Sequence, residues 1–126
     1  MSKIKIDIER HMEGPTGSDS TVTSSFMFPV EFIGFQGHFP TNKVLPGACQ
    51  IQCALSTIEK ALKRRVVLKE IQLAKYLAPV FPGDTVICIM SGVRDTDSEY
   101  IYKARLTKGS NKVSDLKLRI SLSDAP

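Results

Sequence analysis

"PGACQIQCALSTIEKAL", residues 46–62, decides the fold. From Ala48 onward, Ile51, Leu55, Ile58 and Leu62 recur at three- and four-residue steps, with Ala48, Ala54 and Ala61 flanking them. That is the period of a helix with one apolar stripe turned to a core. Gln52, Ser56, Glu59, Lys60 and Lys63 form the neighbouring polar stripe. Downstream, residues 66–77, 85–93, 100–107 and 113–122 have strand character, broken by the turn signals "FPGD" at 81–84, "RDTDS" at 94–98 and "KGSN" at 108–111. Upstream, residues 3–9 alternate Ile4, Ile6 and Ile8 with charged side chains, which predicts a half-buried strand. Residues 14–20 predict a turn-rich break, and 21–30 a second strand. The order is strand, strand, helix, then a four-stranded meander. This is an α+β class in which one long central helix is wrapped by an antiparallel sheet.

A chain of 126 residues is enough for one hydrophobic core and too short for two, so a single domain over 1–126 is expected, with one site or a site shared between subunits. No apolar run approaches a membrane span; the longest candidate, 86–90, is strand-sized. The alternating start lacks the continuous apolar segment of a secretory signal, so a cytoplasmic location is expected. Cys49, Cys53 and Cys88 are an odd count. No second pair or histidine at a ligand spacing completes a metal site around them, so they read as reduced, partly buried thiols. The net charge of +4 gathers in Lys60, Lys63, Arg64, Arg65, Lys69 and Lys75. Only Tyr76 interleaves an aromatic there, and no nucleic-acid module is present, so an acidic protein partner suits the cluster better than nucleic acid.

Just ahead of the helix stands "GHFPTNKVLPG", residues 37–47, and "PVFPGD" follows at 79–84. Together these resemble the hot-dog-fold 3-hydroxyacyl-acyl-carrier-protein dehydratases, in which a GHFP histidine precedes a PG at the start of the central helix and a PGD turn lies further on. The two motifs stand at the separation the family shows, and the resemblance covers nearly the whole chain. It implies a hot-dog domain, a dimer whose sites form across the subunit interface, and an acyl thioester substrate on acyl carrier protein or coenzyme A. By position, His38 would be the base, Gly47 the oxyanion donor, and residue 52 the acid. Here residue 52 is Gln, and Thr41 and Lys43 replace the family's usual glycine and proline.

The residue chemistry agrees with those roles. The first backbone N–H groups of a helix opening at Pro46 or Gly47 have no partner within the helix and carry partial positive charge. Gly47 lets a thioester carbonyl come close, and its N–H can stabilise an enolate-like oxygen. Imidazole at His38 exchanges a proton near neutral pH. A glutamine amide positions a hydroxyl or a water but cannot act as the proton donor a carboxylic acid would be. Three outcomes are therefore expected for Gln52: a dehydratase in which His38 returns its proton to the hydroxyl, a heterodimer whose second hot-dog subunit supplies the acid, or an acyl-binding subunit without turnover. A hot-dog thioesterase is a further alternative, but it would want a carboxylate near the helix, and Glu59 lies two turns beyond Gln52. Phe39 and Pro46 would contact the acyl chain, and Lys43 the phosphate of a pantetheine arm. Phe32 and Phe35 read as core, Gln50 and Asp84 as structural, and His11 as a hydrogen-bonded or surface residue. No metal or redox cofactor follows from the sequence.

Overall fold

A computed structural model of the chain describes residues 2–18, 20–36, 43–96 and 98–123. Chain order runs α1 (Lys3–Arg10), β1 (Met12–Ser18), β2 (Thr21–Met27), a short 3-10 turn (Ile33–Phe35), α2 (Gly47–Leu62), β3 (Arg65–Tyr76), β4 (Thr85–Arg94), β5 (Glu99–Lys108) and β6 (Asn111–Ser123). The six strands form one antiparallel sheet in the order β1-β2-β4-β5-β6-β3. Helix α2 packs against β1, β2, β3, β4 and α1. This is the hot-dog arrangement of a central helix with a sheet around it.

Period-two burial makes the sheet's inner face. Val22 and Phe26 on β2, Val86, Cys88 and Met90 on β4, Ala104 and Leu106 on β5, and Leu116, Leu118 and Ile120 on β6 are buried. They meet Cys53, Ala54 and Ile58 of α2, where the small alanine lets helix and sheet approach closely. A side chain as buried as Leu118 contributes about 1.5–3 kcal/mol relative to leaving it in water. Phe28, Phe32 and Phe35 continue the core through stacked and edge-on contacts at 4.4 and 5.4 Å between ring centroids.

Three expectations are corrected. Residues 3–9 are helical: Ser2 caps α1 by accepting from Lys5 N–H at 3.1 Å, and Lys5 meets Glu9 one turn on. The Ile4, Ile6, Ile8 alternation misled because only Ile8 is buried, while Ile4 and Ile6 are exposed. Residues 14–20 are mostly strand, since β1 carries Gly14, a cis Gly14–Pro15 bond and Gly17 through a register shift while pairing with β2. The last four strands are not a simple meander, because β3 lies at the far edge against β6, and only β4, β5 and β6 follow in order.

Among the described residues, edge strand β3 pairs on one side only and exposes Val67, Ile71, Leu73 and Tyr76, each 41–47% accessible. Long apolar edges of this kind are uncommon on free surfaces. None of the helices is long and apolar enough to cross a membrane, among the described residues.

Candidate active site

The chain on either side of the GHFP motif is firmly held. Upstream, the buried Asp7 carboxylate of α1 accepts from Ile33 N–H at 3.1 Å, and Phe35 is buried. Downstream, Leu45 is buried and donates its N–H to Val80 carbonyl at 2.9 Å, which ties the approach to α2 to the stretch after β3. His38 and Phe39 themselves, with Pro40 and Thr41, lie outside the described residues.

Pro46 is the N-cap of α2, with extended backbone at φ −62° and ψ 152° and no side-chain cap. Its carbonyl accepts from Cys49 N–H at 3.0 Å and Gln50 N–H at 3.1 Å. Gly47 and Ala48 N–H groups have no hydrogen-bond partner among the described residues. The Tyr76 side chain from the end of β3 lies across Gly47, so that a β-carbon there would stand 2.6 Å from the ring and its hydroxyl. A larger residue there would have to push that ring aside. Val44, Pro46, Gly47, Gln50, Tyr76 and Pro79 line an open groove of about 410 Å³ at this end of the helix. Gln50 is buried; its Nε2 donates to Leu45 carbonyl at 3.3 Å, while its Oε1 has no partner among the described residues. Lys43 lies half-buried in the irregular segment leading into α2.

Gln52 sits on the face of α2 that receives α1. Its Nε2 donates to Ser56 Oγ at 3.0 Å, and Ser56 Oγ–H donates to Glu9 Oε2 at 2.6 Å. Glu9 also meets Lys60 at 3.3 Å and Lys5 at 3.6 Å, and Lys5 Nζ donates to Glu59 at 2.6 Å. Burial by itself would raise the Glu59 carboxyl; the hydrogen bonds from Lys5 and from Val66 N–H outweigh it and hold the group below its ordinary value. Reading residues 3–9 as a strand hid Glu9 from the sequence-based search for an acid. Ser2 as a cap and the Lys5–Glu9 spacing were the signals that would have found it.

The second motif is structural. Gly83, at φ +87°, turns the chain, and its N–H donates to Phe28 carbonyl at 2.9 Å. Asp84 accepts from Phe81 N–H at 2.8 Å and Lys108 Nζ at 3.0 Å, and those bonds hold its carboxyl below the usual range. His11 is likewise structural, ending α1 with Nδ1 2.8 Å from Asp7 carbonyl and its ring edge-on to Phe28 and Phe32. All three cysteines are free and buried; burial pushes the Cys49 thiol up to about 11 and Cys88 up to about 12. Such thiols are poor nucleophiles.

Known proteins share this architecture. The solved structure "The Dehydratase Heterocomplex ApeI:P from Xenorhabdus doucetiae" superposes with a TM-score of 0.73 at 21% identity, over 88% of this chain and 94% of that one. A hypothetical thioesterase with coenzyme A from Streptococcus pneumoniae superposes equally well, with a TM-score of 0.73 at 10% identity, over 95% of this chain and 94% of that one. At those identities the likeness is one of fold. Among sequence relatives, a 3-hydroxyacyl-(acyl-carrier-protein) dehydratase FabZ of Ehrlichia chaffeensis is 38% identical over 64 residues, 47% of this chain. That match spans less than half, 45%, of the Ehrlichia protein's own length. A FabZ of Wolbachia pipientis is 27% identical over 93% of this chain and 85% of that protein. The family described as ApeI dehydratase matches residues 14–116, from the middle of β1 well into β6, and on that match the chain belongs to the ApeI-like family of dehydratases.

Proposed function

We propose that the protein dehydrates a 3-hydroxyacyl thioester, carried on acyl carrier protein or coenzyme A, to the trans-2-enoyl thioester. The observation that carries this reading is the start of α2, where Gly47 and Ala48 present unpartnered N–H groups beside an open groove, ten residues or fewer after a GHFP histidine. The thioester carbonyl would accept from Gly47 N–H. His38 would take the C2 proton, the C2–H electrons would form the C2=C3 bond, and the C3–O bond would break. The imidazolium would return its proton to the departing oxygen, which leaves as water. An oxyanion donor of this kind is worth roughly a hundredfold or more in rate, and the base a comparable factor.

Pro46 and Phe39 would flank the acyl chain and Lys43 the pantetheine phosphate. The apolar edge of β3, which ends at the Tyr76 that covers Gly47, suits burial against a second hot-dog subunit, identical or different. The basic residues at the end of α2 and along β3 suit the acidic face of a carrier protein. The pathway class is fatty-acid-like synthesis, in the cytoplasm.

The test is hydration of a crotonyl carrier-protein thioester by the purified protein, with His38→Ala as control. Turnover that disappears in the variant is expected; undiminished turnover in it would end the assignment. Gln52 favours a second reading, a subunit whose acid comes from a partner. For that reading the outcome would be thioester binding without turnover until the second subunit is added.

A further inference from the structure

By the motif resemblance, Gln52 takes the place of the acid of the hot-dog dehydratases, and the question is which end of its amide it offers. An isolated glutamine can present either oxygen or nitrogen, because the two ends are alike in shape. Here the neighbours decide. A carboxylate paired with two lysines only accepts hydrogen bonds, so Glu9 Oε2, at 2.6 Å, takes the one hydrogen of the Ser56 hydroxyl. Ser56 is fully buried, so its hydroxyl has no water to turn to instead. Its oxygen is left with lone pairs only, and these receive Gln52 Nε2 at 3.0 Å. Turning the amide over would set two acceptors against each other at that distance. Lys60 and Lys5 grip Glu9 from two sides, so the chain of bonds begins from a fixed charge. Gln52 Nε2 points one turn on, to Ser56. Gln52 Oε1 therefore faces away from it, and no described residue donates to it.

We infer that Glu9 is a positioning residue: through Ser56 it holds the Gln52 amide with its carbonyl oxygen as the free acceptor, set to receive the hydroxyl hydrogen of a 3-hydroxyacyl group. This rests on the dehydratase reading for the identity of the ligand, but not for the orientation of the amide. An acceptor at residue 52 takes the hydrogen of a substrate hydroxyl and leaves the lone pairs of its oxygen free. It also selects for substrates that have a hydroxyl to donate. The negative charge behind the chain strengthens the acceptor, because successive hydrogen bonds polarise one another.

Two measurements on the full chain test this. The first is the order parameter of the Gln52 side-chain amide by nuclear magnetic resonance, its signal assigned by loss in Gln52→Leu. It should fall in Glu9→Gln and in Ser56→Ala. In Lys60→Gln, which removes an ion pair to Glu9 but leaves the Ser56 bond, it should hold. No change in the first two, or an equal fall in all three, would overturn the inference, the latter because loosened packing of α1 would explain it. The second is the ratio of affinities for 3-hydroxybutyryl and butyryl pantetheine thioesters. The native protein should favour the hydroxylated form roughly fivefold, the scale of one hydrogen bond, and Glu9→Gln should abolish the preference. A preference that survives Glu9→Gln would overturn the proposed role. A native protein that binds neither thioester would fail the dehydratase reading, and the amide measurement would still decide the orientation.

Discussion

The two halves of α2 treat their polar groups in opposite ways. At the amino-terminal end, Gly47 and Ala48 N–H and Gln50 Oε1 have no partners among the described residues, and the groove beside them is open. Over the later turns, Ser56, Glu59 and Lys60 are all engaged by α1 or by the start of β3. Unmade hydrogen bonds cost stability, and a ligand or a partner chain can regain it. One helix thus has an end suited to binding and a flank that holds it in place. Apart from Ser56, which also orients Gln52, stability and activity should respond separately to changes in the two regions.

The largest expected effect is at Gly47. A methyl group there displaces Tyr76 and fills the space where a carbonyl would approach, so Gly47→Ala should lower turnover on the order of a hundredfold, as small misplacements of a reacting group do. Tyr76 is half exposed and free to swing outward. Adding Tyr76→Ala should recover any lost thermal stability but not turnover; recovery of both would show that the ring, rather than the approach to the helix, was what the methyl disturbed.

Glu59→Gln probes the other half. It weakens the bonds to Lys5 and Val66, so urea unfolding should register a loss of about 1–2 kcal/mol, typical of a charged hydrogen bond. Turnover should stay within about twofold, and a large fall would mean that the two halves are coupled. The smallest effect concerns acid. Because the folded protein holds the Glu59 carboxyl below its ordinary value, its stabilising share is complete above the unfolded value near pH 4.5 and is lost as pH falls through the lower, folded value. Between about pH 5 and 3 the native protein should therefore lose more stability than Glu59→Gln. Equal slopes would place the acid sensitivity elsewhere.

Much of this contrast was legible in residue order. The apolar step from Ile51 to Leu62 placed α2, and its polar stripe is the face that meets α1. Period-two patterning located β4, β5 and β6 within a residue or two. What α1 is, and therefore what stands behind Gln52, was not legible. Eight residues with three isoleucines fit a strand and a helix equally well, and the choice was made by tertiary burial of Ile8 and Asp7. Gly14 and Pro15 look like a turn by composition, yet pairing with β2 carries the strand through them. The register of β3 was hidden for a different reason, since no local pattern says which distant strand an edge will choose. Around α2, the motif singles out Gly47 and Gln52 as the residues whose proposed roles await test, whereas Tyr76 over Gly47 and Glu9 behind Ser56 depend on contacts across the fold.

The placement of β3 has a consequence for synthesis of the chain. Among the described residues its strand partner is β6 alone, which begins 35 residues after β3 ends. While the ribosome is still adding that interval, β3 is a twelve-residue segment with Val67, Ile71 and Leu73 and no ladder to join. At elongation rates of about 5–20 residues per second the wait lasts some seconds, long compared with hairpin formation. Once released, a fragment that ends before residue 111 should therefore be a stronger chaperone client than one that runs through residue 123, even though it already carries α2 and β1 to β5.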